Sequence, residues 1–183
     1  LPAHLRPVFE FGINTGCRDQ ELCNLRWDWL KKIDETLWYF ELPKGSTKNN
    51  QVRPVILNSI AKSIVESLVG NNPEYVFSYE GQKLGRLNKS AYRKARDRAG
   101  KVMPDILKTN VHSLRHSFGE RLTESDVPWD WKQALLGHNP KEVTWRYSHY
   151  YKGRVNLLKL LEFVDRLVKY SSLDETQKMG RVA

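Results

Sequence analysis

The sequence predicts a mainly α-helical domain with a small antiparallel β-sheet, an α+β fold. Apolar residues recur at helical spacing through most of the chain, while only a few short stretches carry the β-branched and aromatic residues of strands. No internal repeat or low-complexity tract interrupts that pattern. The 183 residues make one domain, and 40% apolar content is enough for a core that needs no disulfide or metal.

Residues 3–14 read as a helix with Leu5, Val8, Phe9 and Ile13 on one face, broken at Thr15-Gly16. A second short helix begins near Arg18, with Leu22 and Leu25 inward and Asp19 and Glu21 in a first turn whose dipole favours acids. Thr36–Leu42 and Val52–Leu57 read as strands joined by the polar connection Pro43–Gln51. Asn58 caps a helix carrying Ile60, Ile64 and Leu68 and closed by Gly70, and Tyr75–Phe77 is expected as a third short strand. Asn88 is expected to cap a helix to Ala99 that stops at Gly100. A helix near 112–124 turns Leu114, Phe118 and Leu122 inward; Pro128 opens the next helix at its first turn and Gly137 closes it. Val155–Val168 is amphipathic, with Leu157, Leu161, Val164 and Val168 in one stripe. The domain is expected to span 1–170, followed by a flexible tail at 171–183.

Thirty Lys and Arg against 21 Asp and Glu leave a formal charge of +9, which points to a polyanionic partner. The excess is concentrated. Lys83, Arg86, Lys89, Arg93, Lys94, Arg96, Arg98 and Lys101 are accompanied by one acid, Asp97. With so few acids, i,i+4 pairing is scarce, and the stretch reads as a surface for a phosphate backbone. No apolar run reaches the roughly 18 residues of a membrane-spanning helix. Cys17 and Cys23, six apart in what reads as one helix, point roughly 240° apart and are expected to stay reduced thiols, as in a cytoplasmic protein.

Five features carry possible chemistry. Arg18 follows a Thr-Gly break, Lys48 sits at a hairpin tip, and His112 and Arg115 share a helix face. His138 follows a Leu-Leu-Gly helix stop, and Tyr147 lies nine residues beyond it. Taken singly each has a plain structural explanation; Arg18, for instance, can pair with Glu21. Together they supply guanidiniums for a phosphate, imidazoles and an ammonium for protons, and a phenol nucleophile. His112, His116, His138 and His149 do not read as a metal site, because Ser113 stands where the helical zinc motif needs Glu and Arg115 sets a cation alongside. No metal or other cofactor is expected. Neither a Walker-type loop nor a Gly-x-Ser-x-Gly elbow is present.

The segments Thr15-Gly16-Cys17-Arg18-Asp19-Gln20-Glu21-Leu22, Thr47-Lys48, His112-Ser113-Leu114-Arg115-His116-Ser117-Phe118, Leu136-Gly137-His138 and Tyr147-Ser148-His149 occur in an order that resembles the catalytic domain of the tyrosine recombinases, the phage-integrase family. The resemblance runs from about residue 3 to 168. It implies the family's DNA breaking-and-rejoining fold, with Arg18 and Arg115 on the scissile phosphate and His138 as a further phosphate donor. It also implies His112 assisting proton transfer, Lys48 as general acid, Tyr147 as nucleophile and Glu21 supporting the arginines. Lys44 competes for the acid role, but the family's lysine stands five residues before an arginine entering the next strand, and Arg53 selects Lys48. Ile56 stands where members often have Pro. The implied partners are double-stranded DNA and three further protomers, and the N-terminal DNA-clamping domain usual in the family is expected to be missing here. Type IB topoisomerases share this chemistry, and a non-enzymatic DNA-binding module is the alternative from another class.

Overall fold

The computed structural model describes residues 1–138 and 154–170; Tyr147 and the expected tail at 171–183 lie outside them. The helices are α1 (Arg6–Thr15), α2 (Asp19–Cys23), α3 (Ser59–Leu68), α4 (Ser90–Gly100), α5 (His112–Glu124), α6 (Trp129–Leu136) and α7 (Arg154–Asp165). A three-stranded antiparallel sheet runs β1 (Leu30–Lys32), β2 (Trp38–Leu42), β3 (Arg53–Ile56) in spatial order, and β4 (Ser78–Tyr79) with β5 (Gln82–Lys83) forms a separate hairpin.

The sheet separates two apolar clusters, and its two-residue period explains how. Phe40 faces Val55 across β2 and β3, and both belong to the cluster built with Val8, Phe11, Leu22 and Val65. Their neighbours Tyr39 and Ile56, paired in the same register, turn to the opposite side with Phe118, Leu122, Leu135, Leu160 and Val164. Strand β3 is therefore buried along its whole length. α1 runs against α5, where Gly12 lets the two approach closely: a Cβ there would stand 3.1 Å from Leu114 Cδ1. Asn58 caps α3 as expected, its side chain accepting from Ala61 N at 2.9 Å, while its amide donates to Asn14 Oδ1 and ties α3 to α1.

Several local expectations are corrected. Tyr75–Phe77 is not a strand: the Asn72 side chain accepts from Glu74 N and Tyr75 N, and a single bridge pins Tyr75 to Arg26. The sheet's third strand is Leu30–Lys32, an edge strand whose Lys32 ammonium lies 3.8 Å from the centre of the Trp38 ring. The cap of α4 is Lys89 rather than Asn88, without a side-chain cap bond, and Gly100 is the last helical residue. Pro128 caps α6 from outside its first turn. Cys17 precedes α2 instead of sharing it with Cys23; both thiols are free and buried. In the last stripe Leu167, not Val168, is the fully buried residue.

Candidate active site

Two helices end at glycines in the left-handed conformation. α1 ends at Gly16 (φ 63°), whose N–H donates to Gly12 O, and α6 ends at Gly137 (φ 58°). Helix ends leave carbonyls without intrahelical partners, and their dipoles favour cations there. Two buried arginines supply both needs. Arg53 donates through Nη2 to Leu135 O at 2.9 Å and to Thr15 O at 3.4 Å. Arg115 donates through Nη1 to Gly16 O at 2.6 Å and through Nη2 to Leu136 O. Each arginine thus spans the two helix ends, one residue out of step with the other. The result is a cross-brace between chain segments over a hundred residues apart.

Glu21 holds the brace from α2. Its Oε2 accepts from Arg18 N at 2.8 Å and from Arg53 Nη1 at 2.5 Å, while its Oε1 accepts from Arg18 Nη1 at 2.8 Å. Arg18, at the extended residue before α2, is the partly exposed member of the pair, its side chain 21% accessible against 2% for Glu21. Burial alone would raise the Glu21 pKa, but the Arg53 guanidinium and the bonds from Arg18 outweigh it and hold the carboxyl below its ordinary value. Glu21 thus fixes Arg18 while leaving part of its guanidinium in solvent.

Arg18, Lys48, His112, Arg115 and His138 line one open cleft of about 930 Å³, together with Asn49, His116, Glu120 and Gln133. Lys44 is not among its walls. His112 opens α5 and stands edge-on to His116, ring centres 4.6 Å apart. The His138 Nδ1 lies 2.8 Å from Gln133 Oε1, one turn back along α6, a contact that orients the ring. Burial first, then the surrounding cations, hold both histidines below their ordinary pKa: His116 and Arg115 act on His112, Arg115 and Arg18 on His138. Burial, then Arg53 and Arg18, push Arg115 down to about 9, so it remains a cation at neutral pH. Such a concentration of positive charge with part-buried donors is chemically a site for an oxyanion, and a bound anion would relieve the repulsion among its walls. The buried thiols take no part: burial raises Cys17 to about 11 and Cys23 to about 12.

None of the eight basic residues at 83–101 lines this cleft. Their segment is nonetheless moored beside it, Leu87 N donating at 3.0 Å to the Asp19 carboxylate, next to Arg18. Seven of the eight are exposed; Arg96 is half-buried and pairs with Asp97. Among the described residues no group of three or more His, Cys, Asp or Glu is arranged to hold a metal ion, and no helix is long and apolar enough to cross a membrane.

Comparison with known proteins decides the family, since the model of the phage integrase family matches residues 1–154. The chain belongs to the phage integrase family. It is 28% identical to the integrase of Salmonella phage P22 over 79% of its own length and 39% of that protein's. It is 31% identical to the tyrosine recombinase XerC of Xylella fastidiosa (79% of this chain, 48% of that one). It is also 26% identical to transposase B of transposon Tn554 from Staphylococcus aureus (all of this chain, 31% of that one). The chain thus spans less than half the length of each of these relatives. Among solved structures, the Tn1549 transposon integrase in complex with circular intermediate DNA matches with a TM-score of 0.59 at 17% identity, over 85% of this chain and 56% of that one. A lambda integrase tetramer bound to a Holliday junction matches at 0.55 and 21%, over 78% and 43%. The fold is shared with these recombinases.

Sequence reasoning missed two residues of this integrase-family site. Arg53 served only to choose between lysines, although a lone cation in an otherwise apolar strand was a signal; Asn49 carried none.

The glycine at the end of α6 yields a direct test. A Cβ on Gly137 would lie 2.4 Å from Arg53 Cδ as well as forcing a left-handed backbone on alanine. Gly137→Ala is expected to lower stability by about 1–3 kcal/mol, a fall of several degrees in Tm. Gly70→Ala meets open space at φ 88° and is expected to lose only the backbone part. Thermal unfolding of both checks this; equal losses would show that Arg53 is not held against Gly137.

Proposed function

We propose that the chain is the catalytic domain of a site-specific DNA recombinase that breaks and rejoins DNA without a metal, for integration or excision of a phage or other mobile element. The observation that carries this reading is the convergence of Arg18, Lys48, His112, Arg115 and His138 in one cationic cleft, in a chain of the phage integrase family. The arginines bind the non-bridging oxygens of one phosphodiester and offset the repulsion met by an anionic nucleophile. Arginine keeps its proton, so the clamp works as a fixed charge. The Tyr147 phenol oxygen attacks phosphorus, its proton passing to the neutral His112, and the bond to the 5′ oxygen breaks. Lys48 protonates that oxygen, and His138 donates a further hydrogen bond to the phosphate. A 3′-phosphotyrosyl link and a 5′-hydroxyl result. A second 5′-hydroxyl reverses the step on a new partner, the bond energy having been kept.

Four protomers on two duplexes would exchange strands in this way, a reading supported by the shared fold of a lambda integrase tetramer bound to a Holliday junction. The exposed basic residues of the 83–101 segment are assigned to the DNA backbone, which makes binding steeply salt-dependent. Such an enzyme works where its DNA is, in a bacterial cytoplasm.

The test is a nicked suicide duplex carrying the junction sequences that flank the gene. A denaturation-resistant protein–DNA adduct is expected from the parent and none from Tyr147→Phe, read by denaturing gel electrophoresis. An adduct that persists in Tyr147→Phe would move the nucleophile elsewhere. Plasmid relaxation without exchange of partners would indicate a topoisomerase instead.

A further inference from the structure

The connection between β2 and β3 is internally bonded around Lys48. Thr47 Oγ1 donates to Gln51 O at 2.7 Å and accepts from Gln51 N at 3.1 Å, and Asn50 N donates to Thr47 O at 3.0 Å. These bonds close a five-residue loop with Lys48 and Asn49 at its tip and Asn50 in the left-handed region (φ 52°). The tip has a tether of its own. Asn49 Nδ2 donates across 88 residues of chain to Gly137 O at 3.1 Å, the carbonyl immediately before His138. Thr47, Asn49 and Arg53 also border a small cavity with Gly137 and His138, so the loop is seated on the end of α6.

We infer that Asn49 is a positioning residue: its bond to Gly137 O holds the Lys48 ammonium at the cleft and couples the general acid to the segment that carries His138. The inference rests on the reading of Lys48 as the acid. Lysine has four rotatable carbons and its loop is exposed, so nothing within the side chain fixes its reach. A loop tied only to itself leaves that reach free to wander, whereas one bond to the brace limits it. The anchor is well chosen, because Gly137 is held by its left-handed turn and by the Arg53 side chain packed against it. The general acid is thereby registered on the same brace that positions Arg115.

The experiment compares single-turnover adduct formation by the full chain on two suicide duplexes. One is ordinary. The other has sulfur in place of the bridging 5′ oxygen, so the leaving thiolate needs no proton. For each variant the ratio of the two rates is the readout, because it does not depend on the fraction of folded enzyme. Lys48→Ala is expected to lose most activity on oxygen and regain it on sulfur. Asn49→Ala is expected to fall roughly three- to tenfold on oxygen and to match the parent on sulfur. Asn49→Gln, which keeps an amide donor, recovers part of the oxygen rate. Equal losses of Asn49→Ala on both substrates, or none on either, would overturn the tether while leaving the acid in place. Failure of sulfur to restore Lys48→Ala would remove the acid itself, and the inference with it.

Discussion

Arg115→Lys is expected to reduce DNA cleavage by roughly 10²–10³-fold, the usual loss when one pre-aimed transition-state donor is removed. Binding at moderate salt is expected to change little, because the positive charge is kept. Arg115 has five N–H donors, and two are committed to Gly16 O and Leu136 O. The remaining hydrogens leave a fork for a phosphate oxygen while the guanidinium plane is fixed by the carbonyls. A lysine ammonium is a point charge with one anchoring atom. It cannot bridge two carbonyls on different helices and still present a planar pair of donors, so a buried carbonyl is left poorly satisfied, at about 1–3 kcal/mol. Cleavage and stability should therefore both fall, and cleavage further. The check measures adduct formation well below the variant's unfolding temperature, beside a binding isotherm on intact DNA. Cleavage within threefold of the parent would show that Arg115 serves the brace alone.

The features legible in the sequence are those whose cause is local. α5 covers the 112–124 span expected from the spacing of Leu114, Phe118 and Leu122. Gly16 and Gly137 mark helix ends because each occupies a backbone conformation that favours glycine. The Asn58 cap is read from one side chain and the turn that follows it. What was not legible depends on partners far away in the chain. Leu30–Lys32 looks like a polar loop, and only pairing with β2 makes it an edge strand. Tyr75–Phe77 has the composition of a strand, yet Asn72 and Arg26 engage the Tyr75 backbone and ring first. Arg53 reads as the border of a strand, whereas its work is done through Glu21 and two helix ends. Of the candidate site, Arg18, Lys48, His112, Arg115 and His138 could be named from motif order. The brace beneath them could not, since its carbonyls have no signature in residue type.

Glu21→Gln is expected to produce the largest loss of stability of any single change at this site, about 3–5 kcal/mol, the range for removing one partner of a buried pair. Glu21 and Arg53 are 2% and 3% exposed, so Arg53 would keep its carbonyl bonds but lose its counter-charge. Glutamine also turns an NH₂ group toward one of the two arginines, setting donor against donor where the carboxylate accepts from both. At 183 residues this corresponds to a fall in Tm of roughly 6–20 °C. Adding Arg53→Met removes the uncompensated cation and should recover part of the loss, whereas two unrelated defects would simply add. The pH dependence follows from the depressed pKa. The unfolded chain binds a proton on Glu21 near the ordinary value of 4.5, and the folded chain only at lower pH. Stability from this group is thus fully present above about 4.5 and is lost as pH falls through the folded value. Unfolding free energies from pH 7 down to pH 3 should converge for parent and Glu21→Gln as the carboxyl protonates. Parallel curves would mean that the Glu21 charge contributes nothing, and that the arginines are held by shape alone.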